Sequence, residues 1–162
     1  MRADKCGLCL DPQTDLDVNT IENWAGRVID GVAPDEDLRL PTWGASAMDL
    51  LPGWYDDWII FERERLRQRL LHAFEALSRL LVQSRRYADA IDAALEAVRV
   101  EPLRESAHRT LLEAHLAEGN LVEARRIHLG YSRLLRRELG VDPDPALAAL
   151  VGLRVTQVST RR

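Results

Sequence analysis

The sequence predicts an all-α fold, an array of helical hairpins with six to seven helices. Three observations indicate this class. Apolar residues recur at intervals of three and four along a long stretch that begins near Asp57. A second pattern is a repeat, because residues 86–90 realign with residues 120–124. Beyond residue 18, no stretch of useful length alternates apolar and polar residues as a half-buried strand does. We therefore expect no sheet of consequence after residue 18.

The first predicted helix follows an irregular or extended segment, residues 1–18. Asn19 and Glu22 have the spacing of a capping box, in which each side chain covers a free amide of the first turn. The helix is expected to end near Gly31, and its apolar face carries Ile21, Trp24, Val28 and Ile29. Residues 32–53 form a long connection rich in helix breakers, namely Pro34, Pro41, Gly44, Pro52 and Gly53.

A long amphipathic helix is predicted from about Asp57, with one apolar face that contains Leu66, Leu70, Phe74, Leu77 and Leu81. Its Arg-rich strip, residues 62–69, offers ion pairs between residues three apart, and we interpret it as a solvated face rather than a nucleic-acid patch. Turns follow at residues 83–86, 100–103, 118–121 and 139–145. Gly140 suits a left-handed cap, and Asp144 with Pro145 predicts a final helix over residues 146–154.

The repeat predicts how these helices are arranged. Its offset of 34 between residues 86–90 and residues 120–124 is the helix–turn–helix period of the tetratricopeptide repeat. Tyr87 and Leu121 are expected at equivalent turns, which they fill. Small residues lie where two helices must approach closely, namely Ala90, Ala97 and Ala124. Because one hairpin cannot bury its own apolar face, we expect about two stacked hairpins with flanking helices.

Composition and charge exclude several classes of function. The 162 residues fit one domain, and they are 46% hydrophobic and 30% charged, as in globular proteins. No apolar stretch approaches the ~20 residues of a spanning helix, and no signal-peptide pattern is found, so we expect a cytoplasmic protein without a membrane partner. The net charge is −4, with 4 basic and 12 acidic residues up to Phe61. We therefore expect no direct DNA binding by this chain.

No catalytic constellation is found, so we expect neither an enzyme nor a bound cofactor or metal. The four histidines lie on predicted helices without the spacing of a metal site, namely His72, His108, His115 and His128. We interpret His108 and His115, which are seven positions apart, as a packed or surface pair. Cys6 and Cys9 form an isolated C-x-x-C that lacks the further ligands of a zinc site and the α/β unit of a redox motif. We interpret them as incidental thiols.

An aromatic cluster flanks Asp56 and Asp57 at the start of the long helix. Trp54, Tyr55 and Trp58 are interpreted as structural anchors that fasten the long connection onto the helical array, with Tyr87 as a further anchor in its turn. A carbohydrate site or a catalytic carboxylate pair is the other interpretation. Adjacent residues at a helix start point in different directions, which favours helix capping with aromatic anchoring.

The repeat register also predicts where a protein partner would bind. Tetratricopeptide arrays bind along the concave face, which the first helix of each hairpin builds. The predicted positions are His72, Glu75, Arg79 and Val82 in the first unit, and Ser106, Arg109, Glu113 and Leu116 in the second. Each of these residues taken singly is equally consistent with an ordinary solvated surface.

Several longer motifs carry a resemblance to a known family. They are LPGWYDDW at residues 51–58, ERERLR at 62–67, RYADA at 86–90, EPLRE at 101–105, AHLAEGN at 114–120 and RELGVDP at 137–143. Together they resemble the bacterial transcriptional activator domain of antibiotic regulatory proteins of the streptomycete type, over about residues 15–150. Any one motif alone would be a weak signal.

The resemblance implies a role in transcription regulation through a protein partner, either an RNA polymerase subunit or a second copy in a homodimer. In that family the domain follows a winged-helix DNA-binding domain, which is missing here, so DNA would be bound only through that missing part. Residues 1–18 would be a remnant of the upstream hairpin and linker, residues 19–154 the activator domain and residues 155–162 a tail. The alternative hypothesis is a free-standing tetratricopeptide-like adaptor that captures a peptide and is unrelated to transcription.

Overall fold

A computed structural model of the chain describes the backbone of residues 2–4 and 7–9, and residues 17–44 and 52–152. Two short antiparallel strands come first, β1 (Arg2–Asp4) and β2 (Gly7–Cys9). The six helices in the described residues are α1 (Asp17–Ile29), α2 (Asp57–Gln83), α3 (Tyr87–Val100), α4 (Glu105–Glu118), α5 (Leu121–Leu139) and α6 (Pro145–Leu150). The predicted all-α array is confirmed, and over this part of the chain no strand follows residue 18.

Helix α1 begins two residues before the predicted capping box. Asp17 is its first residue, and the Asp17 side chain accepts a hydrogen bond from the Val18 amide at 2.7 Å. Asn19 therefore lies inside the first turn, and the prediction that it caps the helix is wrong. An acidic residue in the first turn is favourable because it faces the positive end of the helix dipole. The helix ends at Ile29, close to the predicted end near Gly31, whose φ of 70° suits glycine.

Helices α2 and α3 form one hairpin and α4 and α5 a second, as the repeat predicts. Tyr87 and Leu121 are the first residues of α3 and α5, so their equivalence is confirmed. Tyr87 is half-buried, whereas Leu121 is exposed and does not fill its turn. The small residues predicted at close helix contacts are fully buried, namely Ala90, Ala97 and Ala124.

The register of the repeat also shows how the two hairpins differ inside. Phe74 and Ala97 of the first hairpin correspond to His108 and Tyr131 of the second, and all four side chains are buried. The His108 and Tyr131 rings stack with centroids 3.9 Å apart. Where the first hairpin combines a large residue with alanine, the second combines two rings that carry polar atoms. The core of the second hairpin is therefore more polar.

Helix α6 closes the far end of the array. Its start is as predicted, because the Asp144 side chain accepts a hydrogen bond from the Ala146 amide at 2.7 Å and Pro145 is the first helical residue. Leu147 and Val151 are fully buried in a second core cluster with Leu112, Ala124, Tyr131 and Leu135. The helix ends at Leu150, so the prediction that it continues over residues 151 and 152 is wrong, and residues 153 and 154 lie outside the described residues.

The long connection after α1 is held by tryptophans other than the predicted ones. Trp24 of α1 packs against Trp43 with ring centroids 5.2 Å apart and against Phe74 of α2 at 5.9 Å. The Trp24 indole N–H also donates to the backbone carbonyl of Asp37 at 3.1 Å. The Arg27 guanidinium pairs with the Asp37 carboxylate at 2.6 Å. These contacts fasten residues 32–44 to the hydrophobic core that α1 shares with α2 and α3.

Over the part of the chain that the structure describes, none of the helices is both long enough and apolar enough to cross a lipid bilayer.

Candidate functional site

Three of the eight predicted partner-facing residues line one groove between α2 and α4. Arg79, Val82 and Glu113 form its walls together with Ser78, Gln83 and Thr110, and its volume is about 190 Å³. We call this feature the inner groove. The three residues come from the first helices of the two hairpins, where the register of the repeat places them, and their role in binding a partner stays a prediction.

Three other predicted residues belong instead to a polar network centred on Arg104. The Arg104 guanidinium donates to Glu75 and to the Ser106 hydroxyl, both at 2.8 Å, and to Gln68 at 3.1 Å. Ser106 also donates to Glu75 at 2.6 Å, and His72 lies 3.5 Å from the guanidinium. We call these five residues the Arg104 network. The Glu75 side chain is only 5% exposed, so the prediction that it faces a partner is wrong.

The network forms because Arg104 lies in the turn before α4, from which its long side chain reaches the middle of α2. No periodic pattern in the sequence identifies such a residue. It does lie within the EPLRE motif, which was the only signal available. The remaining two predicted residues also have partners inside the fold, since Arg109 pairs with Glu105 at 2.9 Å and Leu116 packs against the second core cluster.

The inner groove contains polar groups that the described residues leave unsatisfied. The Ser78 hydroxyl is fully buried and has no hydrogen-bond partner among them. Thr110, on the opposite wall, instead donates to the backbone carbonyl of Ser106 at 3.0 Å. Arg79 is exposed and Glu113 half-buried, and neither is joined to a charge of opposite sign within 17–44 and 52–152.

A second surface lies at the opposite end of α2. The exposed fractions are 55% for Trp54, 81% for Tyr55, 56% for Trp58 and 74% for Phe61. Ile60 is also more than half exposed, and we call these five residues the apolar patch. The prediction that Trp54, Tyr55 and Trp58 are buried anchors is therefore wrong.

The reason is geometric. The first turns of α2 carry the sequence Trp-Ile-Ile-Phe over residues 58–61, and a helix presents successive residues about 100° apart. Ile59 points towards the core and is fully buried. Trp58 and Ile60 then lie to either side, and Phe61 faces away. Trp54 and Tyr55 precede the helix altogether.

The Arg-rich strip beside the apolar patch is paired as predicted. Arg65 contacts Glu62 and Arg67 contacts Glu64, each at 2.8 Å. Arg65 also pairs with a carboxylate of α1, and Arg67 with one at the end of α3. The hydrogen bonds from Arg67 lower the pKa of Glu64 to about 2. Both arginines are already ion-paired with carboxylates. This supports a solvated, ion-paired face rather than a phosphate-binding one.

Two buried histidines lie in the second hairpin. His108 donates from Nε2 to the backbone carbonyl of Pro102 at 2.9 Å, and its Nδ1 has no partner among the described residues. Both ring nitrogens of His128 are likewise buried without a described partner. Burial lowers the pKa of both histidines and raises the pKa of Tyr131 to about 12. These groups stay neutral inside the helical pair.

The histidines form no metal site in the described part of the chain, where no group of three potential ligands comes together. His115 is half-buried, with Nδ1 3.7 Å from a Glu118 carboxylate oxygen. Cys6 lies outside the described residues, and only the backbone of Cys9 is described. The interpretation of these cysteines as incidental thiols stays a prediction.

Two stacked helical hairpins with helices at either end define the class of this protein as a tetratricopeptide-like helical array. Within that class, the model of the family described as the bacterial transcriptional activator domain matches residues 19–152, and the chain belongs to this family. Its role is therefore in transcription regulation. The regulatory protein AfsR of Streptomyces griseus is 33% identical over 111 residues, which are 68% of this chain and 11% of that protein. No solved structure gives a significant match.

Proposed function

We propose that the chain is the protein-interaction domain of a transcriptional activator, and that its apolar patch contacts RNA polymerase or a second copy of the chain. The observation that carries this proposal is the exposure of a helix start that is apolar on every side. A helix that is hydrophobic all round is normally buried. Apolar surface concentrated in this way marks a site where another macromolecule docks.

The size of the apolar patch supports a protein partner. An aromatic side chain carries 150–250 Å² of surface, so the exposed fractions of its four aromatic residues correspond to roughly 500 Å². A standard interface covers ~800 Å² on each partner. Burying the patch would contribute about 12 kcal/mol at ~25 cal/mol/Å², which is comparable to the 4–15 kcal/mol that association costs. The polar residues around the patch must therefore add to the affinity.

The ionic surroundings of the patch suit a protein better than a nucleic acid. Arg65 and Arg67 are each held between two carboxylates, which leaves them poorly placed to neutralise phosphates. In this proposal the chain contributes the protein contact and a winged-helix domain contributes the DNA contact. We place this activity in the cytoplasm, where bacterial transcription takes place.

The proposal is tested with a double variant, W58S/F61S, and a matched control, V122S/L129S, which alters two exposed apolar residues of α5. Self-association is measured by sedimentation equilibrium, and polymerase contact by retention on immobilised RNA polymerase holoenzyme. We expect the wild type and the control to associate in at least one assay, and the patch variant to lose that association. Circular dichroism checks that all three are folded.

A wild-type chain that stays monomeric and is not retained by the polymerase would overturn the proposal. Equal association by W58S/F61S and the wild type would overturn the assignment of the contact to the apolar patch.

A further inference from the structure

A pocket lies between α1 and the connection that follows it, and it shares no residue with the inner groove or the apolar patch. Thr20, Trp24 and Arg27 of α1 line it together with seven residues of the segment 36–43. We call this feature the α1 pocket. Its volume is about 280 Å³, close to the lower end of the ~300–1,000 Å³ of small-molecule sites. The pocket therefore has the size for a small molecule.

The apolar surface of the α1 pocket comes from the connection. Leu40, Pro41 and Trp43 line it, and all three are half-buried, so part of each side chain can be reached from solvent. Trp24 holds the Trp43 ring from behind, with the two rings edge to face at an interplanar angle of 87°. Trp24 is in turn held by its indole hydrogen bond to the Asp37 carbonyl. The pocket thus presents a fixed apolar surface to a ligand.

The charged groups of the α1 pocket balance one another. Two of them, Arg27 and Asp37, form an ion pair at 2.6 Å. The other two are Glu36 and Arg39, which are exposed and make no hydrogen bond or ion pair with a described residue. A simple anion would be attracted by one of these two groups and repelled by the other, and so would a simple cation. The pocket therefore favours a molecule that carries both charges.

We infer that the α1 pocket binds a free amino acid with a large apolar side chain. The Arg39 guanidinium would take the carboxylate, since its planar donors match that group in a bidentate pair. Glu36 would accept hydrogen bonds from the ammonium group, and the side chain would lie against Trp43 and Leu40. In an amino acid the two charges sit on one carbon, which suits partners only three positions apart in the chain. This site goes beyond the proposed protein contact and does not rest on it.

The indole N–H signals of the ¹⁵N-labelled chain are the direct readout for this inference. The chain has four tryptophans, and the variants W54F and W58F identify the two signals that belong to the apolar patch. The probes are leucine, methionine, phenylalanine and tryptophan, each titrated to about 20 mM. The affinity per atom of small ligands corresponds to a low-millimolar Kd or tighter for molecules of this size.

We expect at least one of the four amino acids to shift the Trp24 and Trp43 signals saturably, while the Trp54 and Trp58 signals stay in place. The absence of a saturable shift with all four would overturn the inference. Saturable shifts confined to Trp54 and Trp58 would overturn it as well, because they would place the ligand on the apolar patch.

Analogues and variants then test the two charged contacts. The amine that lacks the carboxylate and the acid that lacks the ammonium group should each bind at least about ten-fold more weakly than the best amino acid. The variants R39Q and E36Q should lose a similar factor. The matched control is R133Q, since Arg133 is exposed on α5 outside the pocket, and it should bind like the wild type.

Equal affinity of R39Q and wild type, or of the amino acid and both analogues, would overturn the inference. Circular dichroism checks that the three variants are folded, as expected for substitutions of exposed residues. The patch variant W58S/F61S should bind the amino acid normally. A failure of the amino-acid experiment would therefore leave the polymerase and self-association results, and with them the proposed function, unaffected.

Discussion

Arg104 is the residue that pairs with Glu75, the buried carboxylate of the first hairpin. It lies in a turn, yet its guanidinium satisfies a carboxylate near the middle of α2 that is almost fully buried. The position that corresponds to Arg104 in the first repeat unit is Leu70, a core residue, so the repeat itself assigns no such role. The repeat pattern therefore does not account for the Arg104 network, which is present at only one of the two equivalent positions.

Replacing Arg104 with leucine is expected to lower the free energy of unfolding by about 3–5 kcal/mol, because it leaves the Glu75 carboxylate buried without its partner. Urea unfolding measures the change. The control is R99L, which breaks the exposed pair with Glu96 and should cost under about 1 kcal/mol. The double variant E75L/R104L should recover most of the loss. An R104L variant as stable as R99L would contradict the role assigned to the network.

The buried histidines of the second hairpin predict a loss of stability in mild acid. Burial lowers the pKa of His108 and His128 in the folded chain, whereas both titrate near 6.5 when unfolded. Below about pH 6.5 the unfolded chain binds protons that the folded chain does not. The free energy of unfolding should therefore fall as the pH drops from about 6.5 towards the lower folded-state values.

The variant H108F/H128A gives the second hairpin the residues that the first has at Phe74 and Ala94. Urea unfolding between pH 7.5 and about pH 5 should show a flatter pH dependence for this variant, since its two titrating groups are gone. The nearby Glu105 carboxylate opposes the effect of burial at His108 but does not reverse it. Identical slopes for variant and wild type would show that other groups control the acid response.

Two glycines, one at the end of α4 and one inside α5, are expected to change the stability in opposite directions when each is replaced by alanine. Gly119 ends α4 at φ 91°, a conformation that alanine adopts only with strain, so G119A should destabilise by about 1–2 kcal/mol. Gly130 lies inside α5 with open space around the position of an added Cβ. There, G130A should stabilise by about 0.5–1 kcal/mol. Thermal unfolding of both variants would test this, and a stabilising G119A would contradict the assigned cap.

The buried and the exposed tryptophans are expected to contribute differently to the stability of the fold. Trp24 joins α1 to the following connection and to α2, so W24A should cost about 3–5 kcal/mol. Trp54 and Trp58 are more than half exposed, so W54A and W58A should each cost under about 1 kcal/mol. Chemical denaturation of the three variants compares these values directly. A large loss in W58A would indicate that the apolar patch supports the fold.

For the whole molecule, the charge distribution predicts weak contact with DNA. The chain has a net charge of −4, and the part up to Phe61 alone carries −8. We expect no sequence-specific binding, and non-specific binding no tighter than ~10⁻⁴ M at physiological salt. Attaching an upstream winged-helix domain should restore specific binding, because base readout would come from its recognition helix. A gel-shift titration of the 162-residue chain that shows submicromolar specific binding would refute this.

The helical array was predictable from sequence because its two signals are local and regular. The apolar spacing located α2, and the offset of the repeat placed Tyr87 and Leu121 at equivalent helix starts. The start of α1 was not predictable in this way. Asp17 and Asn19 both suit a helix terminus, and the sequence contains no local feature that decides between them.

The candidate site was only partly predictable, because burial depends on contacts between distant residues. The register placed Arg79, Val82 and Glu113 on one predicted partner-binding face, and these three residues line the inner groove. It could not reveal that Glu75 is covered by Arg104, 29 residues further along the chain. Nor could it distinguish Trp24, which is buried, from Trp58, since both lie on helices and resemble core residues in type.

Helix α2 also fixes a distance. Its 27 residues extend for about 40 Å, and Phe61 of the apolar patch lies roughly 30 Å along the axis from Val82 of the inner groove. A ligand that occupied both surfaces would therefore need a spacer that spans this distance between its two binding groups. For a flexible Gly/Ser tether, that span corresponds to about 30 residues. Much shorter tethers would have to stretch at an entropic cost, and longer ones would dilute the effective concentration of the second binding group.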